Sequence, residues 1–400
     1  MKNIIRRMSV AILVFCGLVF VSCASTESRV ILGDEQFEAY LPLLEGQRVA
    51  IFSNQTGLVG NTQTHILDTL IAKDVNVSAI FSPEHGFRDL ADDGSHVADG
   101  IEPLTGVPIL SLYGGAGGNH PTQESMDMFD VLIVDIQDVG LRFYTYYITM
   151  CHLIDACGEA GKHVVLLDRP NPNGMYVDGP ILDMTLKSGV GRLPIPTVHG
   201  MTLGELAQMA NGERWLKDGK KCDLTVIPCQ NYTHQTRYTL PIAPSPNLPN
   251  MLAIYLYPSM CYFEGTTVSL GRGTDWPFQV YGHPDMTGYD FEFTPTSRFG
   301  AKTPPQMDKL CHGMDLHNLD AEEVIAEGIN LSYVIDAYRN LTAGGHQFFL
   351  KSNFFDLLMG TTRVREMIAE GKTAQEIKAT WQADVELFKA QRKPYLLYDE

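Results

Sequence analysis

Positive charge is scarce in this 400-residue chain: 30 lysines and arginines stand against 47 acidic residues, a formal net charge of −17. Binding to a phosphate backbone leaves a basic patch as its electrostatic footprint, and no run of Lys or Arg supplies one, which excludes nucleic acid as a partner. Cysteine is sparse as well. Eight are present, none in a C-x-x-C pair, which argues against a zinc site built on thiolates. The six beyond Cys23 (Cys151, Cys157, Cys222, Cys229, Cys261, Cys311) read as scattered buried thiols or, after export, as disulfide partners. Two catalytic signatures are missing. The run Gly114-Gly115-Ala116-Gly117-Gly118 lacks the G-x-G-x-x-G order and the P-loop lysine, so it reads as a flexible lid or turn, and no cofactor is expected. No G-x-S-x-G elbow occurs, and Ser82 precedes Pro83 rather than a helix-entering glycine, which weakens a serine-nucleophile reading.

Apolar runs of membrane-spanning length are absent too. The run from Val10 to Val21 is shorter than the ~20 residues a spanning helix needs. Preceded by Lys2, Arg6 and Arg7 and followed by Ser22-Cys23, it has the layout of a lipoprotein signal. Cleavage before Cys23 and acylation of that thiol would leave a soluble domain on a lipid tether, with residues 1–22 as the signal and 23–40 as the tether. The formal charge then moves from −17 to −20. The expectation is an exported bacterial lipoprotein, periplasmic or at the cell surface, that meets the membrane only through its anchor.

The roughly 375 residues beyond Cys23 exceed what one core usually holds, which argues for two domains. Five stretches read as buried strands: Arg48 to Asn54, Val77 to Glu84, Ile109 to Tyr113, Val131 to Asp138 and Val164 to Asn171. A sixth, Asp223 to Pro228, closes the domain. Helix signals alternate with them at His65 to Lys73, Tyr144 to Ala160 and Thr202 to Trp215, the last opened by a capping box of Thr202 and Glu205. This alternation predicts an α/β fold with a parallel sheet, right-handed crossovers and ligands in the crevice beyond the strands' carboxyl ends. Four prolines between Pro241 and Asn250 forbid regular helix and central strand, which sets the boundary between domains at 41–240 and 241–400. The second half is less periodic, with a Gly- and aromatic-rich stretch from Tyr262 to Gly282, a surface loop at 292–305 and a helical tail from Asn353 to Gln391.

The strands of the first half run into polar, reactive residues. The sharpest case is Ile80 to Arg88, where Ser82-Pro83 blocks continuation and Glu84, His85 and Arg88 share one loop. Between Phe81 and Phe87, Glu84 would be partly desolvated, which raises a carboxyl towards proton donation near neutrality; the other reading pairs it with Arg88 or makes it a turn cap. Asp135 and Asp138 orient a substrate's hydroxyls or a water, or join His85 in a hard-cation site, although the usual ligand spacings are absent and no metal is expected. Arg142-Phe143-Tyr144-Thr145-Tyr146-Tyr147 opens a helix, where backbone N–H groups favour polar ligands and Tyr rings suit sugar faces or core packing. The stiff loop Asp168 to Gly174 presents Arg169 and Asn171, and His199-Gly200 stands just before Thr202. Phe263 to Thr274 brings Glu264 and Arg272 into a Gly-rich loop. Arg88, Arg142, Arg169 and Arg272, placed in such loops of so acidic a chain, point to a negatively charged substrate.

Taken in order, eight segments resemble the exo-β-N-acetylmuramidases of the NamZ type, bacterial glycoside hydrolases that act on peptidoglycan fragments. They are Ser53 to Gly57, Phe81 to Arg88, Asp135 to Tyr146, Asp168 to Gly174, His199 to Thr202, Pro244 to Asn247, Phe263 to Thr274 and Tyr395 to Tyr398. The resemblance implies a Rossmann-like domain, a smaller α/β domain and a site in the cleft between them. It also implies catalysis by Glu84 and release of N-acetylmuramic acid from non-reducing ends of peptidoglycan-derived glycans, whose lactyl carboxylate supplies the expected negative charge. Glycoside cleavage needs a second group, for which Glu264, Asp135, Asp138 and the sugar's own acetamido group are the alternatives. Asn54, His85, Arg88, Asp138, Arg142, Tyr144, Arg169, Asn171, His199 and Arg272 are the expected substrate contacts. Asp89, Leu141, Thr267 and Leu270 depart from the family pattern, the last removing a carboxylate near the cleft. A tethered, non-catalytic sugar-binding lipoprotein is the rival reading, and the oligomeric state is open.

Overall fold

The computed structural model of the chain describes residues 29–60, 62–83, 86–88, 99–112 and 119–400. Its main sheet holds β1 (Val49–Ser53), β2 (Val77–Ser82), β3 (Gly100–Ile101), β4 (Pro108–Ser111), β5 (Val131–Asp135), β6 (His163–Leu167) and β7 (Asp223–Ile227). The spatial order is β3-β4-β2-β1-β5-β6-β7, all pairs parallel except the edge pair β3–β4. Successive residues feed two apolar layers: Phe52, Phe81, Leu132 and Leu166 enter one, Ile51, Ile80, Ile133 and Val165 the other. Burial on both faces is why these strands read as unbroken apolar runs. β2 stops at Ser82, since Pro83 has no N–H to continue the ladder. From β1 the chain moves outward through β2 to β4 and then returns to β5 on the other side. The topological switch point therefore lies between β1 and β5, where Ser53 pairs with Asp135.

The helices fall where the sequence places them. Ile66–Ala72 is capped by His65, Tyr146–Ala160 follows β5, and Leu203–Gly212 opens with the Thr202/Glu205 capping box. Beyond the proline-rich segment a second, antiparallel sheet forms from β8 (Val280–His283), β9 (Phe291–Phe293) and β10 (Cys311–Asp315), ordered β8-β10-β9. β9 occupies the start of the stretch read as loop, because its Phe293 is buried opposite Cys311. The helical tail breaks into Phe354–Met359, Arg363–Ala369, Ala374–Lys378 and Gln382–Arg392, with Gly360 and Gly371 turning the chain at φ 78° and 82°. One apolar layer runs from Leu132 and Tyr147 through Tyr262 and Phe263 to Phe355 and joins the two halves. The six cysteines are buried thiols with no disulfide among the described residues.

Two segments depart from expectation. Residues 30–40, read as tether, pack into the domain: Ile31 bridges Gln230, Gly33–Glu35 forms a 3-10 turn, and Tyr40 is fully buried. A Cβ at Gly33 would lie 2.5 Å from both the Asp168 nitrogen and the Ile227 oxygen, so only glycine fits there. At the other end, the Tyr398 hydroxyl donates to Asp168 Oδ2 (2.6 Å) and accepts the Cys229 N–H (2.8 Å). Tyr398→Phe leaves both buried partners short of a bond and is expected to lower unfolding stability by about 1–3 kcal/mol. Urea unfolding measures this, and an unchanged midpoint would mean that the tail's clasp adds nothing.

Candidate active site

The loops after β1, β5 and β6 are stitched together by polar groups. Asn54 Oδ1 accepts the Thr56 N–H (2.9 Å) and hydroxyl (2.6 Å), while Thr56 Oγ1 accepts the Gln137 N–H (3.0 Å). Gln137 Nε2 donates in turn to the Pro170 carbonyl at 2.8 Å. Arg169 lies at the centre of this layer. Its Nε donates to Asp135 Oδ1 at 2.6 Å and its Nη2 to Asp34 Oδ2 at 2.7 Å, and all three residues are buried. Asn171 is equally committed: its Oδ1 accepts the Asn173 N–H and its Nδ2 donates to the Met201 carbonyl, both at 2.8 Å. Gly140, at φ 76°, packs so closely on Asn171 that a Cβ would come within 2.2 Å of its amide.

Asp138 lies in the same layer. Its Oδ1 accepts the Gly140 N–H at 2.7 Å, its Oδ2 has no hydrogen-bond partner among the described residues, and burial pushes its carboxyl up to about 7. The unfolded group releases its proton near ~3.9, so between that value and about 7 the folded state binds more protons. This contribution to stability is present at low pH and is lost as the pH rises through that window. Asp138→Asn keeps the acceptor for Gly140 and removes the titration, so its stability should fall less between pH 4 and pH 8, by on the order of a few kcal/mol. Urea midpoints at the two pH values test this, and parallel pH slopes for both proteins would contradict it.

Three of the four arginines expected at the substrate bond groups of the protein itself and do not line the cleft described below. Besides Arg169, Arg142 is fully buried and donates to the carbonyls of Pro180 (2.6 Å), Ile195 (3.0 Å) and Leu358 (3.0 Å), a strut between the two halves. Arg88 makes a two-pronged pair with Asp68 at 2.6 and 2.9 Å and meets the buried Glu102 at 3.2 Å. The physical reason is shared: a planar guanidinium matches carboxylates and unpaired carbonyls wherever the fold leaves them. His199 is buried with Nδ1 accepting the Met201 N–H, and burial together with the Arg392 charge lowers it to about 3, so it is neutral. Phe81 and Phe87 enter apolar layers on opposite faces of the sheet rather than forming one wall. Glu84, His85, Cys23 and the run Gly114–Gly118 lie outside the described residues.

A cleft of about 400 Å³ opens between the start of the helix Tyr146–Ala160 and the segment 257–278. The hydroxyls of Tyr144 and Tyr146 both donate to the Pro244 carbonyl at 3.0 Å, and Gln55 Nε2 reaches it at 3.3 Å, which pins the proline-rich segment across the sheet edge. On the facing wall, Arg272 donates to Glu264 Oε1 from Nη2 (2.6 Å) and Nε (3.2 Å) and lies 5.0 Å from the Phe278 ring centre. Gly265 allows this turn, since a Cβ would stand 2.5 Å from the Phe355 backbone. Leu112, also on the wall, donates its N–H to the Ser82 carbonyl at 3.0 Å and so joins the cleft to the end of β2.

Of the expected site residues, then, Tyr144, Glu264 and Arg272 meet in the cleft, while Asn54, Asp135, Asp138, Arg169 and Asn171 form the layer beside it. Thr149 and His152 also line it and were not anticipated. A signal existed: with Thr145 they recur at i, i+4 and i+7, a polar stripe along a helix that is mainly apolar up to Ile154. Burial and the Arg192 charge lower His152 to about 4, so it is neutral. Its Nδ1 meets the Asn119 carbonyl at 2.7 Å; a carbonyl only accepts, so Nδ1 carries the hydrogen and Nε2 is an acceptor. Among the described residues no cluster of His, Cys, Asp or Glu could hold a metal.

A polar, aromatic-walled cleft at the carboxyl edge of a Rossmann-type sheet is the arrangement of an α/β enzyme. Residues 49–252 match the N-terminal part, and residues 255–398 the C-terminal part, of the family described as exo-beta-N-acetylmuramidase NamZ. The chain is 36% identical over 375 residues to the peptidoglycan beta-N-acetylmuramidase NamZ of Bacillus subtilis (strain 168), covering 90% of this chain and 89% of that protein. A crystal structure of a DUF1343 family protein from Bacteroides fragilis is 64% identical and matches with a TM-score of 0.85 over 93% of this chain and 100% of that one. A second DUF1343 family protein from the same organism is 28% identical, with a TM-score of 0.79 over 93% and 99%. The chain belongs to the NamZ family and is a glycoside hydrolase.

Proposed function

We propose that this glycoside hydrolase is exo-acting and releases N-acetylmuramic acid from the non-reducing ends of peptidoglycan-derived glycans, with Glu84 as general acid. The observation that carries this reading is the bond between Leu112 of the cleft wall and Ser82, two residues before Glu84. The activity named for the Bacillus subtilis relative supports the substrate class. Glu84 gives its proton to the leaving glycosidic oxygen. Glu264 meets the oxocarbenium-like centre, being the one of the three candidate carboxylates Glu264, Asp135 and Asp138 that lines the cleft. Arg272, on the same wall, takes the sugar's lactyl carboxylate, and the tyrosine rings take the apolar sugar face. The test is hydrolysis of a chromogenic β-N-acetylmuraminide, with the matching N-acetylglucosaminide as control, by residues 24–400. Muraminide-selective release is expected. No release from either sugar by the folded protein would overturn the reading.

Export and anchoring through Cys23 belong to the same proposal, supported by the apolar run Val10 to Val21 and the Ser22-Cys23 junction. Cys23→Ser, expressed in a bacterium with lipoprotein processing, is expected to move the protein from the membrane pellet to the soluble fraction. A variant that stays in the pellet as the parent does would show that Cys23 is not the anchor.

A further inference from the structure

The cleft does not end at its own walls. A second, more open cavity of about 1090 Å³ shares Asn119, Ile148, His152 and Gly189 with it. The polar stripe of the helix Tyr146–Ala160 runs from one into the other: Thr145 and Thr149 line the first, His152 both, and Asp155 the second. At 1.5 Å per residue, 145 to 155 is roughly 15 Å of floor, polar but for Ile148, which lines both cavities. That floor is fixed in place. Asp155 is bonded to the Arg192 guanidinium and accepts the Lys217 N–H at 2.8 Å, and the His120 ring stacks on His152 at 4.1 Å. Two further groups line this cavity, and Trp215 also packs in part against the main apolar layer. Trp215 is only half-buried, an indole standing among charged groups, and Lys187 is exposed with no ion pair among the described residues.

We propose that this second cavity is a groove for the glycan that follows the cleaved unit, with Trp215 as a stacking surface for a sugar ring and Lys187 as the partner of a second carboxylate-bearing unit. This rests on the exo-acting reading above. An enzyme that removes one terminal unit seats that unit in the tighter cavity, and the chain still attached continues into the adjoining, more open one. A half-buried indole offers an apolar face with a polar rim, which suits a sugar ring, and a mobile ammonium suits a carboxylate whose position varies. Binding energy gained on the retained chain is then available to the reacting end.

The test compares kcat/KM on a peptide-free hexasaccharide with N-acetylmuramic acid at its non-reducing end with kcat/KM on the disaccharide of N-acetylmuramic acid and N-acetylglucosamine, which has the same linkage, for the full chain and for Trp215→Ala and Lys187→Ala. The wild type is expected to favour the hexasaccharide by tenfold or more, and each variant to reduce that ratio by about tenfold. No preference in the wild type, or ratios unchanged in both variants, would overturn the groove. Should Trp215→Ala fail to fold, Lys187→Ala, at an exposed side chain, carries the same comparison. Should neither substrate be cleaved, the exo-glycosidase reading falls and the groove is read by calorimetric titration of the hexasaccharide. Weaker binding by Lys187→Ala would then support the groove, and equal affinity would remove it.

Discussion

Glu84→Gln is expected to lower kcat on a glycan substrate by about 10²–10⁴-fold, the range that a positioned proton donor contributes. Glutamine has nearly the same shape and cannot give up a proton, so the variant separates chemistry from packing. A sharper expectation follows from the role of an acid. A nitrophenolate leaves readily without protonation, whereas a sugar alkoxide does not, so the loss should be large on the natural disaccharide linkage and much smaller on the chromogenic muraminide. Glu264→Gln should behave differently. A group that meets the developing positive centre is needed whatever the leaving group, so both substrates should lose rate together. Equal losses on both substrates for Glu84→Gln would mean that Glu84 is not the acid, and an undiminished rate would remove it from the mechanism.

Arg169→Ala is expected to be the most damaging substitution for folding. The guanidinium bonds Asp34 and Asp135 at 2.7 and 2.6 Å inside the domain. Its removal leaves two carboxylates buried and facing each other. Breaking a buried pair costs roughly 3–5 kcal/mol, and here two partners are abandoned, so much of the variant should be unfolded at room temperature. Arg272→Ala sets the contrast. That side chain and its partner Glu264 are 15% and 20% exposed but border the open cleft, where water can reach the abandoned carboxylate, so its loss should cost less, about 1–3 kcal/mol. Its loss should also act on muraminide turnover, as a raised KM. Urea unfolding and steady-state kinetics on the two variants read both effects. Wild-type stability in Arg169→Ala would refute the buried triad, and unaltered muraminide kinetics in Arg272→Ala would remove Arg272 from substrate recognition.

The difference between these two arginines shows where reading the sequence ends. Strand cores, strand ends and helix starts are local properties. Val131 to Val134 must be buried whatever lies elsewhere, and Thr202 with Glu205 caps a helix within four residues. Alternation of such elements leaves few topologies, so the parallel sheet and the carboxyl edge where a site would form were both legible. Tyr144, Glu264 and Arg272, singled out from the sequence, line the cleft. What a polar strand-end residue does was not legible, because its partner can stand anywhere in the chain. Arg169 turns away from the cleft to meet Asp34, 135 residues earlier, and Asp168 is engaged by Tyr398, 230 residues later. A guanidinium or carboxylate carries the same charge whether it faces substrate or framework. Only the fold, by burying Asp34 in a segment that reads as tether, decides that Arg169 must stay to neutralise it while Arg272 reaches the cleft.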